Sequence, residues 1–133
     1  MYTDGSAPIE ADWDPTTPWH CDLQYLYAAD LFDQRYFWEA HEAWEALWHA
    51  AEPDSSTHRL LQSLIQYAAS ILQNHLGHTG GANRLFGRAT DRLRLVQAVE
   101  TPQYRGINLT ELVDGVRAHL DGGLWPTLPM GHP

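Results

Sequence analysis

The sequence predicts an all-α fold, a compact bundle of about five helices whose neighbours run mostly antiparallel. Three observations predict it. Apolar residues recur at three- and four-residue spacing in successive segments, Pro and Gly punctuate the chain between those segments, and alternating β-branched runs of strand type are absent. At 133 residues the chain suits a single helical domain over 19–123, with an extended N-terminal arm over 1–18 and an irregular C-terminal tail over 124–133.

Each helix has its own signals. Thr17–Pro18 offers an N-cap and first helical position, so a first helix is expected over Trp19–Phe32 with Leu23, Leu26, Tyr27 and Leu31 on its buried face. Trp13 or Trp19 would pin the preceding arm. Asp33 is the expected cap of a second helix over Gln34–Ala51, which stops before Pro53. Asp54–Thr57 starts a third helix that continues to about Leu76, where Gly77, Gly80 and Gly81 interrupt. The fourth runs over about Ala82–Glu100. Pro102–Gly106 reads as a loop, and Asn108–Glu111 has the form of a capping box opening a fifth helix that ends at Gly122–Gly123.

Composition narrows the function classes. Hydrophobic residues make up 44% of the chain and charged residues 19%, the profile of a globular domain, with six Trp, six Tyr and three Phe to fill a core. Seventeen acidic residues against eight arginines give a net charge of −9, which disfavours nucleic acid and anionic membrane as partners. Cys21 stands alone, no early run has signal-peptide form, and no apolar stretch reaches spanning length, so a cytoplasmic location is expected. A small-molecule ligand and a homo-oligomer stay open as partners.

The unusual chemistry lies on the second helix. Phe37, Ala40, Trp44, Leu47, Trp48 and Ala51 fall on one apolar stripe, with His41 at its edge and Glu45 one turn further on. Glu42 and Glu39 point further outward, while Trp38 shares the flank of Glu42 and Glu45, which predicts that this flank is covered too. His41-Glu42-x-x-Glu45 is related in geometry to the zinc-binding His-Glu-x-x-His helix. Read that way, His41 and Glu45 hold a divalent metal ion, Glu42 activates water, and His75 from the third helix completes the set. Gln62 and Gln66, one turn apart on the third helix, would face this pair if the two helices pack antiparallel. The plainer reading is a structural His–Glu–Gln hydrogen-bond network. A third is a small-ligand pocket walled by Trp38, Trp44 and Trp48. Arg84, Arg88 and Arg92 read as a solvated face, and His78 as an exposed loop residue.

Leu31-Phe32-Asp33, Tyr36-Phe37-Trp38-Glu39-Ala40-His41-Glu42-Ala43-Trp44-Glu45-Ala46-Leu47-Trp48 and Leu61-Gln62-Ser63-Leu64-Ile65-Gln66-Tyr67-Ala68-Ala69, with the later Gly81-Ala82, together resemble the domain-of-unknown-function family 309. The resemblance covers roughly Leu31–Leu93. It implies an all-helical fold and site positions at Glu39, His41, Glu42, Glu45, Gln62 and Gln66. It also carries that family's label, a predicted metal-dependent hydrolase. Its pattern has Gly where Arg35 and Ser63 stand, a His near Gln73 and an Asn near His78. Two function classes follow: a metal-dependent hydrolase, or a non-enzymatic binding or scaffold module whose polar cluster is structural.

Overall fold

A computed structural model describes residues 13–131. Five helices make up its body: α1 (Leu23–Asp33), α2 (Phe37–Ala50), α3 (Ser56–His75), α4 (Thr79–Val99) and α5 (Leu109–Leu120). The long α3 is central, packed between α2 and α4 and touching α5, while α1 lies against α2. Its two flanks account for this position, since Leu60, Leu61, Leu64, Ile65, Tyr67, Ala68 and Ile71 are all buried. Among the described residues no helix is long and apolar enough to cross a membrane.

The α3 and α5 starts follow their caps. Ser55 accepts a hydrogen bond from the His58 amide, and Asn108 accepts one from the Glu111 amide at 3.0 Å. The first helix departs from expectation. Pro18 leads into a short 3-10 turn, Trp19–Cys21, and α1 starts only after Asp22, whose carboxylate accepts from the Tyr25 amide. Its buried face is Tyr25, Ala28, Ala29 and Phe32, not the expected leucines, and Leu23 is 78% exposed. The segment is apolar on nearly every side, so periodicity could not choose the face; the two large rings did.

Asp33 does not cap α2. It ends α1, and its carboxylate accepts a 2.7 Å hydrogen bond from the Leu128 amide in the tail. The connection closes as a Schellman motif: the Tyr36 amide reaches the Leu31 carbonyl and the Arg35 amide the Phe32 carbonyl, with Arg35 at φ 70°. Helices α3 and α5 end on the same hydrogen-bond pattern, with Gly77 and Gly122 at the positive-φ position. Gly80 and Gly81, expected as punctuation, lie in the first turn of α4.

Residues 102–106 are not a plain loop. Two-residue strands β1 (Gln103–Tyr104) and β2 (Ile107–Asn108) pair antiparallel, with Tyr104 opposite Ile107. Arg105 (φ 47°) and Gly106 (φ 84°) form the tight turn, both in the left-handed region that such hairpins require. The Trp19 indole lies so close to Gly106 that a Cβ there would sit 2.7 Å from it. The tail then returns past this hairpin, where Met130 pairs with Ile107 and Leu128 is buried. The expected arm over 1–18 lies largely outside the described residues, but Trp13 is pinned as expected, buried and donating its indole N–H to Asp22.

Candidate functional site

Helix spacing puts His41, Trp44, Glu45 and Trp48 on adjoining turns of α2. Two contacts fix how that face meets α3. At one end Trp48 stacks on His58, with ring centroids 4.9 Å apart and planes at 23°. At the other, Phe37 shares a cavity with Ile71, Leu72 and His75. The helices therefore run antiparallel, and counting turns inward from those fixed points brings His41 level with Gln66 and Glu45 level with Gln62.

His41 Nε2 lies 3.7 Å from Glu45 Oε2, the side chains being 20% and 48% exposed. That is ion-pair range and longer than a formed hydrogen bond. The exposed Trp38 indole stacks over the imidazole, with centroids 5.1 Å apart and planes at 30°. On the other edge of the ring Nδ1 is buried and has no hydrogen-bond partner among the described residues. The same holds for Gln66 Oε1, Trp44 Nε1 and Trp48 Nε1. A buried polar atom without a partner costs about 1–3 kcal/mol, so three of them where α2 meets α3, on His41, Trp48 and Gln66, call for a reason.

Other predicted residues fall elsewhere. His75 is exposed at the end of α3, more than two turns beyond Gln66, where its ring faces Trp125 at 6.1 Å; it does not join His41 and Glu45. The register of the helices, which a linear reading cannot supply, separates them. Glu39 and Glu42 are exposed. The flank of Trp38, Glu42 and Glu45 is open, contrary to expectation, because no element among the described residues covers that side of α2: Trp38 is 56% exposed. The three tryptophans do not share a pocket either. Trp44 is fully buried against Phe32, Trp48 is half-buried on His58, and Trp38 stands at the surface. Arg84 and Arg88 are exposed, and His78 Nδ1 donates a 2.8 Å hydrogen bond to Gln73 Oε1.

A divalent ion fits this arrangement poorly. A catalytic zinc or related ion takes three protein ligands, whereas His41 and Glu45 supply two. No group of three or more His, Cys, Asp or Glu side chains able to hold a metal is present among the described residues. The site instead offers indole and imidazole N–H groups, an amide oxygen and one half-exposed carboxylate.

Sequence reasoning missed a second polar centre. Asp22 and Arg105 form a buried ion pair, Nη2 to Oδ2 at 2.6 Å, with side chains 2% and 8% exposed. Asp22 also accepts from the Trp13 indole and the Tyr25 amide, while Arg105 Nη1 donates to the Pro15 carbonyl at 3.1 Å. The Tyr25 hydroxyl donates to the Arg105 carbonyl at 2.9 Å, and the guanidinium lies over its ring. Burial holds the Tyr25 hydroxyl well above the ordinary phenol range, so it stays protonated and donating. Asp22 placed three residues before Tyr25 was a readable cap signal; its partner 83 residues away was not. This centre is walled in, and it ties three segments together.

A search of curated proteins finds no match to the chain. Residues 25–85, a segment that holds the whole α2–α3 face, match the family model described as a domain of unknown function (DUF309).

Proposed function

We propose that this protein is a non-enzymatic helical binding module that takes a small polar ligand at the α2–α3 face, between His41 and Gln66. One observation carries the reading: His41 Nδ1 and Gln66 Oε1 come level on facing helices, both buried, and neither has a hydrogen-bond partner among the described residues. A structural network would have paired them with each other or with Gln62. A ligand able to donate to the amide oxygen and accept from an imidazole or indole N–H would remove the cost. Trp38, stacked on the imidazole and open to solvent, would form the outer wall. Glu45, half in solvent, sets the imidazole edge that faces outward.

The hydrolase reading predicts something different, and one experiment separates the two. The purified protein is screened by thermal shift against small polar molecules and against zinc and manganese salts, with His41→Ala and Gln66→Ala in parallel. Binding at a hundred times the dissociation constant adds about 2.7 kcal/mol, which is easily read as a rise in Tm. The binding module predicts hits among the organic molecules that both variants lose. A metal that stabilises the native protein, with the effect lost in His41→Ala and kept in Gln66→Ala, would instead support a metal site. No stabilising molecule of either kind would sink the proposal.

A further inference from the structure

A second site lies where the start of α2, the end of α3 and the tail meet. Here Arg35, Phe37, Ile71, Leu72, His75 and Trp125 line a cavity of about 240 Å³. It lies at one end of the α2–α3 contact and shares no residue with the His41–Gln66 cluster.

Its chemistry is selective. Phe37 and Trp125 lie nearly parallel, with centroids 5.9 Å apart and planes at 19°, and with Ile71 and Leu72 they give apolar walls. The His119 ring lies 4.5 Å from that of Trp125, and the Arg35 guanidinium lies 5.0 Å over the indole face. Among the described residues no acidic side chain lines the cavity. Arg94, Arg105 and Arg117 have carboxylate partners; Arg35, like Arg59, Arg84, Arg88 and Arg92, forms no ion pair among the described residues, and of these it is the one at the cavity.

The backbone makes the same point independently. Arg35 occupies the positive-φ position of a Schellman turn, at φ 70°, where α3 and α5 use Gly77 and Gly122. A residue with a Cβ is strained there and glycine is not. Arginine at that position serves the helix end worse than glycine would, but it alone sets a cation at the cavity.

We propose that this cavity binds a small planar carboxylic acid, an aromatic or similarly flat monocarboxylate. Its carboxylate meets the Arg35 guanidinium, with His75 as a second nitrogen donor, and its flat body packs against Phe37 and Trp125. A phosphate is a poorer match, since it requires donors on several sides and would desert the apolar walls. A cation finds no counter-charge in the lining.

The test is a titration of the full chain with benzoate, neutral benzamide and benzylamine. It follows the Trp125 indole N–H resonance, assigned from its absence in Trp125→Phe. The expected result is a saturable benzoate shift, with benzamide and benzylamine at least about tenfold weaker, the discrimination a charge-assisted contact provides. Arg35→Gly relieves the turn and keeps the fold, so it should raise Tm while weakening benzoate at least about tenfold. Arg35→Met, which keeps the stem and removes the charge, should weaken benzoate similarly. The proposal is overturned if benzoate gives no saturable shift, if benzamide binds as well as benzoate, or if both Arg35 variants bind benzoate unchanged.

Discussion

The clasp at Asp22–Arg105 and the α2–α3 face at His41–Gln66 both take polar atoms out of water, and they differ in what those atoms meet. In the clasp nearly every group has a partner: the Asp22 carboxylate accepts from Trp13, Tyr25 and Arg105, and only Arg105 Nε is left over. On the α2–α3 face the His41 imidazole, the Gln66 amide and the Trp48 indole each keep a buried atom unpaired. A satisfied network holds segments together and has no capacity left for anything else. An unsatisfied one weakens the fold and is ready for a guest. The contrast separates a structural polar centre from a candidate binding one without reference to any reaction.

Substitutions can break the contrast. Asp22→Ala strands a buried guanidinium and removes a helix cap, and should lower stability by about 3–5 kcal/mol in urea unfolding. A loss under about 1 kcal/mol would mean that the ion pair is no clasp. His41→Ala should sit at the other extreme, within about 0.5 kcal/mol of the native chain, because a group with an unpaired buried atom returns little when deleted. A loss of several kcal/mol there would make the face a structural network after all. The smallest effect belongs to Asp33. Burial raises its carboxyl above the ordinary value of 3.8, outweighing the stabilising Leu128 amide. A raised acid pKa adds stability below 3.8 that is lost as pH climbs through the folded-state value. Asp33→Asn, neutral throughout and still able to accept from Leu128, should therefore gain a few tenths of a kcal/mol at neutral pH, since the half-exposed carboxyl is well screened. The gain should vanish in acid, and a gain that persists there would exclude charge burial as its cause.

Much of the fold was legible because it is local. Ser55 and Asn108 announced helix starts, and the apolar repeats gave five helices in the right order. The α1 face was illegible for a physical reason: a segment apolar all round leaves the choice to ring volume and to neighbours not yet known. The turn at Arg35 was hidden by its own residue, since a positive φ is signalled by glycine and none is there. The same φ explains why the family pattern, as the resemblance has it, places Gly at that position. Of the candidate site, the His41–Glu45 spacing is a property of any helix, and the two side chains approach to 3.7 Å. Whether Gln66 or His75 joins it depends on how two helices slide past each other, and that is set by Trp48 on His58 and Phe37 by Leu72, contacts made only after folding.

The clasp also has a consequence in time. Contacts among α2, α3 and α4 link neighbours along the chain, whereas the bonds of Arg105 to Asp22 and Pro15, and of Leu128 to Asp33, join residues 83, 90 and 95 positions apart. Closing so large a ring costs entropy that near-neighbour hairpins do not incur, so the helical hairpins should assemble first and the ring shut over them last. Run backwards, the ends should unfasten while the central helices stay wound, and amide exchange would register the hairpin at 103–108 opening ahead of α3.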